Sequence, residues 1–253
     1  MRFVWVDEMR VLLTIEYKGT AYCGWQRQKN ALSVQEVLAS AYFTLTGEKV
    51  TMHGSGRTDA GVHALGQCVH FDTNACIPPE RLPFALNPHL PADIKVKAAR
   101  EVPADFNARF DVVRKTYVYK FYVSPHESPL RFDTHCHLVT PPNLERMRAC
   151  AKKIEGTHDF RCFQATGGHV KSTVRTVYSV DIQNIGDEYA VTVCGNGFLY
   201  NMVRIIAGTL YWCGIGKIEP EAVDRAFETG DRKLLGKTLE AKGLYLAKVE
   251  YDL

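Results

Sequence analysis

The feature that most limits the fold is an alternation of short β-branched runs with helical periodicity between residues 11 and 101. Val11 to Tyr17 (VLLTIEY) is short, apolar and β-branched, which predicts a buried strand. Ser33-Val34-Gln35-Glu36 is an S-x-x-E capping box, and behind it Val34, Val37, Leu38, Ala41 and Leu45 fall at helical spacing. Lys49 to His53 and Leu65 to Asp72 read as strands, a proline-rich stretch over 78–88 as helical, and 93–101 as a strand. The order β-α-β-β-α-β predicts a ferredoxin-like or RRM-like unit.

The second half mixes the same ingredients. Pro103 to Phe110 reads as a joint, and Val112 to Val123 as a strand with alternating aromatics. Pro141-Pro142 precedes a helix in which Leu144, Met147, Ala151 and Ile154 share a face. Val174 to Ile185 and Glu188 to Cys194 predict a hairpin around Gly186-Asp187. Phe198 to Cys213 is apolar enough to be a buried helix, Pro220 marks another helix start, and Leu244 to Tyr251 is a closing strand. The expected class is α+β: two ferredoxin-like or RRM-like units, 1–105 and 106–253, whose antiparallel sheets flank a cleft. Such clefts are natural ligand sites.

Charge and cysteine usage narrow the function. A formal net charge of +3 with 23% charged residues permits a polyanionic partner without demanding one. The eight cysteines contain no C-x-x-C pair, so zinc-ribbon spacing is missing and a reducing, cytoplasmic setting is expected. His135-Cys136-His137 has no second ligand group at matching spacing and reads as structural, so no metal is expected. No run approaches the ~18 apolar residues of a membrane span, and MRFVWVDEMR lacks the h-region of a signal peptide. Residues 1–9 read as a short extension before the first strand.

The most informative segment is Gly54-Ser55-Gly56-Arg57-Thr58-Asp59-Ala60-Gly61-Val62-His63. Its three glycines let the backbone turn sharply or approach a ligand closely. A phosphate-binding loop would need Lys-Ser/Thr after the second glycine, and a dinucleotide fingerprint would need glycine where Asp59 stands. What remains is a turn presenting Arg57 beside Asp59, an arrangement that keeps a carboxylate ionised. By composition alone the structural turn is the favoured reading, since an Asp in a turn often caps its own backbone.

Gly56-Arg57-Thr58-Asp59-Ala60-Gly61-Val62-His63 resembles the signature of the bacterial tRNA pseudouridine synthase A family. Tyr22-Cys23-Gly24-Trp25-Gln26-Arg27-Gln28 resembles its Y-x-G-W-Q-R-Q loop, and Ser33-Val34-Gln35-Glu36 its S-V-Q-E helix start. Asp105-Phe106-Asn107-Ala108-Arg109-Phe110 is similar to its D-F-x-A-R-F joint, and Lys115-Thr116-Tyr117-Val118-Tyr119 to its R-x-Y-x-Y strand. Gly156 to Phe160, Asn196 to Arg204 and Gly243 to Leu246 resemble G-x-H-D-F, N-x-F-x-x-x-M-V-R and G-L-Y-L. The segments run in family order from about residue 11 onward.

The resemblance implies isomerisation of uridine to its C-glycoside at positions 38, 39 and 40 of the anticodon stem and loop of transfer RNA. It implies no cofactor, a cytoplasmic homodimer without membrane association, and Asp59 as the essential carboxylate. Three roles stay open for Asp59: attack on the uracil ring, attack on C1′, or abstraction of the C2′ proton. Tyr117 matches the tyrosine that would lie on the extruded uracil, with a core strand tyrosine as the alternative. Arg57 matches a residue expected to fill or prop the site the base vacates, with a solvated loop arginine as the alternative. Arg204, in an apolar helix, needs a partner; the resemblance points to Asp59, with Asp181 or Asp187 as alternatives.

Arg27, Lys29, Arg109, Arg114, Lys115 and Lys171 are candidate phosphate contacts. Trp25 reads as core, and His63 and His158 as structural hydrogen-bonding groups. The rival reading is a non-catalytic tRNA-binding protein or chaperone on the same fold. A hydrolase with paired carboxylates is weaker, because the loop offers only one.

Overall fold

The computed structural model describes residues 8–168 and 170–253. The expected extension over 1–9 lies outside them except for Glu8 and Met9, and Met9 already belongs to the first strand. The described chain forms two compact units: one runs to Val113 and includes Leu246–Leu253, and the other is Arg114–Tyr245.

In the first unit, β1 (Met9–Tyr17) buries Val11, Leu13, Ile15 and Tyr17, the alternation that points one face of a strand at a core. α1 (Val34–Thr46) starts where the capping box predicts: the Ser33 side chain accepts from the Glu36 amide at 3.3 Å. Its Val34, Leu38, Ala41 and Tyr42 are buried, and each large apolar side chain so removed from water contributes about 1.5–3 kcal/mol. Tyr42 sets its ring edge-on to Phe71, 4.8 Å between centroids, and bonds its hydroxyl to Thr73. The strand expected over Lys49–His53 shrinks to β2 (His53–Gly54), because Lys49 and Thr51 stay exposed and Lys49 lies over the Phe43 ring. β3 (His63–Thr73) runs antiparallel to β1 from Met9↔Thr73 to Tyr17↔Ala64. The proline-rich stretch is helical in short pieces, with α2 (Leu82–Leu86) between two 3-10 turns. β4 (Ile94–Glu101) is antiparallel to β1 on its other edge.

The second unit holds most of β5 (Val112–Val123), where Tyr117, Tyr119 and Phe121 are buried as the alternation predicts. β6 (Cys136–Leu138) is parallel to β5. α3 (Leu144–Ile154) starts on the Asn143 side chain and buries Met147, Cys150, Ala151 and Ile154. β7 (Gly156–Asp159), β8 (Val174–Ile185) and β9 (Glu188–Gly195) follow, with order β5-β9-β8-β7 and the predicted hairpin between β8 and β9. α4 (Met202–Gly214) is buried on nearly every side but begins four residues later than its apolar run. Asn201 before it sits in the left-handed region (φ 59°), a conformation that ends the preceding turn and admits asparagine. α5 (Glu221–Thr229) starts after Pro220.

β10 (Leu244–Tyr251) returns to the first unit from Leu246 onward and lies beside β3. β3 therefore has β1 along one edge, and β10 and the short β2 along the other. Tyr251 secures the return: its hydroxyl donates to the Ala108 carbonyl at 2.7 Å and its ring meets Phe106 edge-on at 5.0 Å.

Candidate active site

The Asp59 loop leaves the sheet of the first unit between β2 and β3 and is fastened from beneath by buried polar groups. The Ser55 amide donates to the Cys68 carbonyl at 2.8 Å. The Ser55 hydroxyl donates to Gln67 Oε1 at 2.6 Å, and Gln67 Nε2 donates to the Gly56 carbonyl at 2.9 Å. Thr58 Oγ1 and Tyr17 Oη are 2.7 Å apart. Ser55 and Gln67 are fully buried, and Tyr17 and Thr58 nearly so. A satisfied polar network in a dry interior specifies one arrangement, since any displacement strands a donor or acceptor. Burial pushes the Tyr17 phenol well above its ordinary range, so it works as a neutral hydroxyl.

The segment 19–25 holds the loop from another side. The Trp25 amide donates to the Thr58 carbonyl at 3.1 Å, the Gly61 amide to the Tyr22 carbonyl at 3.4 Å, and the Gly19 amide to His63 Nδ1 at 3.0 Å. Gly24 has φ +84°, and a Cβ there would overlap the Thr58 carbonyl oxygen and crowd the Asp59 backbone. Trp25 is core, as expected, with its indole stacked on Tyr17 at 6.5 Å. Tyr22 donates to Asp93 at 2.7 Å, which anchors the segment to the turn before β4. The Val62 amide donates to the Asp59 carbonyl at 3.1 Å and closes the turn. Arg57 emerges exposed and Asp59 half-buried.

Tyr117 and Arg204 belong to the second unit. Tyr117 lies on β5, 9% exposed, with its ring edge-on to Phe198 at 5.2 Å and 84°. Arg204 lies in the first turn of α4; Nε donates to the Leu239 carbonyl at 2.7 Å and Nη1 to the Asn201 side chain at 2.6 Å. Of the alternative partner acids, Asp187 takes Arg131 at 2.8 Å and Asp181 receives Gln183 at 3.1 Å. Arg57 and Asp59 thus share one braced loop, while Tyr117 and Arg204 are fixed on a strand and a helix of the other unit.

The remaining candidates sort by contact. His63 accepts from Gly19, and His158 bonds the Glu155 carbonyl at 3.0 Å and stacks on Phe227 at 4.3 Å. His135 pairs with Glu188 and His137 with the Ser124 carbonyl. Arg27 reaches Glu36, Arg109 lies over Phe110, and Arg114 lies over Tyr178, while Lys29 and Lys171 are exposed and Lys115 is half-buried. The bracing roles of Tyr17, Gly24, Ser55 and Gln67 escape a reading of the sequence alone. The one available signal is a glutamine inside the apolar strand HALGQCVHF, since a buried amide must find partners.

The family model described as tRNA pseudouridine synthase matches residues 13–111 and 150–252. The tRNA pseudouridine synthase A of Ruminiclostridium cellulolyticum is 46% identical over 243 residues, covering 96% of this chain and 99% of its own. That of Bacillus subtilis is 44% identical over 246 residues, covering 96% and 100%. A chain of a solved Cbf5–Nop10–Gar1 complex aligns with 93% of this chain and 48% of its own, at 11% identity and a TM-score of 0.40.

Proposed function

The chain belongs to the tRNA pseudouridine synthase family, and from that premise we propose that it isomerises uridine to pseudouridine in transfer RNA with Asp59 as the reacting carboxylate. The supporting observation is the bracing of the Asp59 turn: Tyr17 holds the Thr58 side chain, and Trp25 and Val62 hold the Thr58 and Asp59 carbonyls, while Asp59 itself stays half-buried. A carboxylate placed this firmly meets a reacting sugar or base with little reorganisation.

The chemistry is redox-neutral. The N1–C1′ bond breaks, the uracil turns, C5 bonds to C1′, and the proton leaving C5 is balanced by one gained at N1. The ionised carboxylate of Asp59 serves as nucleophile or base. Extruding the uridine costs about a few kcal/mol, and stacking on Tyr117 returns about 1–3 kcal/mol. Arg57, exposed on the same loop, props the space the base leaves, and Arg204 supplies a fixed cation.

The finer reading is of two ferredoxin-like units. The order β4-β1-β3 with β2 beside β3, and the run β5-β9-β8, support it. The protein acts in the cytoplasm as a homodimer on positions 38, 39 and 40 of the anticodon arm. Tolerance of three neighbouring positions calls for recognition of backbone and shape rather than base edges.

The test is release of tritium from C5-labelled uridine in unmodified tRNA, beside a gel shift on the same preparation. Wild type releases label, and Asp59→Asn binds tRNA without releasing it. A folded Asp59→Asn protein that turns over near the wild-type rate overturns the role of Asp59. A wild type that binds and never isomerises supports a non-catalytic tRNA-binding protein instead.

A further inference from the structure

Arg175, near the start of β8, is an arginine held at one end and open at the other. Its Nη1 donates to two backbone carbonyls, Ser172 at 2.9 Å and Val174 at 2.7 Å. Those bonds fix the guanidinium plane. Nε and Nη2, the parallel pair along one edge of that plane, have no hydrogen-bond partner among the described residues. No buried side-chain nitrogen goes unpaired among them, so both atoms reach solvent.

Arg10 shows what that edge does when an anion is present. Its Nε and Nη2 grip the two oxygens of Asp72 at 2.6 and 2.8 Å. Arg175 offers the same fork, with no carboxylate within salt-bridge distance among the described residues. Partial burial lowers its pKa, and no acidic neighbour raises it back. A cation taken partly out of water without a counter-ion is a net cost to the fold. An anion arriving from outside would remove that cost.

The surroundings keep the fork accessible. A Cβ at Gly197 would stand 3.5 Å from Nε, in van der Waals contact, so glycine there leaves that side of Nε uncrowded. Lys171, Ser172 and Asn196 nearby are exposed. The residue after Gly197 is Phe198, whose ring meets Tyr117. A ligand on the fork is therefore one residue removed from the aromatic pair that carries the proposed base-stacking tyrosine.

We propose that the Nε–Nη2 edge of Arg175 binds a backbone phosphodiester of the substrate RNA and so fixes the strand beside the nucleotide acted upon. The choice of ligand rests on the reading of the chain as an RNA-modifying enzyme. The two non-bridging oxygens of a phosphodiester match the spacing of the fork, as a carboxylate does.

The experiment measures binding of an RNA stem–loop across a salt series for wild type, Arg175→Met and Arg175→Lys, with melting curves and tritium release on the same preparations. Arg175→Met is expected to lose about tenfold in affinity. Its log K against log salt slope becomes shallower by about 0.7–0.9, the share of one phosphate. Its melting temperature changes little, because removal of an unmatched charge offsets the loss of the two Nη1 bonds. Arg175→Lys keeps the slope but loses part of the affinity, since it lacks the fork. Unchanged affinity and slope in Arg175→Met overturn the contact. So does a lower melting temperature at unchanged slope, which makes Arg175 a brace for residues 172–174. The expected slope difference between wild type and Arg175→Met, with no tritium released by the wild type, overturns the catalytic reading and upholds the contact.

Discussion

The hydroxyls of Tyr17 and Thr58 meet at 2.7 Å in the interior of the first unit, directly before the residue proposed to do the chemistry. One lies at the end of β1 and the other in the Asp59 loop, so a strand residue sets the loop's position. The pairing turns a surface turn into a fixed platform.

Removing that bond separates placement from folding. Tyr17→Phe keeps the ring stacked on Trp25 and deletes one oxygen. Stability falls by about 1–3 kcal/mol, since the Thr58 hydroxyl is left buried without this partner. Turnover falls between about tenfold and a hundredfold at saturating RNA, the cost of a small misplacement. The double variant Tyr17→Phe/Thr58→Val loses less stability than the sum of the two single changes. Denaturant melts and single-turnover kinetics on the four proteins check this, and additive losses in both would contradict it.

Gly24 and Gly47 make a matched pair, with φ +84° and +73°. Gly47 has open space where a Cβ would stand, whereas Gly24 faces the Thr58 carbonyl. Gly47→Ala should therefore cost about 1 kcal/mol of strain and leave activity intact. Gly24→Ala adds a collision to the strain, costs about 1–3 kcal/mol or more, and removes most of the activity. Equal effects at the two positions would show that only the backbone angle matters.

Tyr117→Leu impairs turnover more than binding of whole tRNA, because one base stacks on this ring while the phosphate contacts persist. The Tyr117–Phe198 contact is also packing, so a melting curve must accompany the kinetics. Affinity falling in proportion to rate would make Tyr117 a docking residue.

His70 predicts a pH dependence. Its Nδ1 accepts from the Ala108 amide at 3.1 Å, and its ring stacks on His53 at 4.9 Å. Burial, with repulsion from His53 and Arg10, lowers its pKa to about 4. The unfolded chain takes up this proton near pH 6.5 and the folded one near 4, so the stabilisation is full above about 6.5 and is lost as pH falls toward 4. Below that, the Asp72 carboxylate held down by Arg10 takes over the decline. Denaturant melts from pH 7.5 to 4 should show the upper limb, and His70→Asn, which keeps an acceptor near Nδ1, should flatten it. An upper limb unchanged in that variant would place its origin elsewhere.

What could be read from the sequence follows from the range of each signal. The capping box, the β8–β9 hairpin and the alternation along β5 are local, and they fall where their patterns place them. Lys49 to Thr51 had strand composition, but pairing needs a neighbouring edge and only His53 and Gly54 find one. The start of α4 depended on one backbone angle at Asn201, which hydropathy does not encode. At the site, Arg57 and Asp59 lie two residues apart and are legible as a motif. Gln67 and Tyr17 reach the loop through tertiary placement, and no spacing announces it.

β10 also has a bearing on how the molecule is made. The strand that lies along β3 is encoded after all of the second unit, so the sheet carrying the Asp59 loop is interrupted in the gene. At synthesis rates of about 5–20 residues per second, a nascent chain holds β3 with that edge covered only by the short β2 for many seconds. An open strand edge is a site of mispairing between neighbouring chains. A chain stalled within the second unit would therefore present a sheet edge open to mispairing.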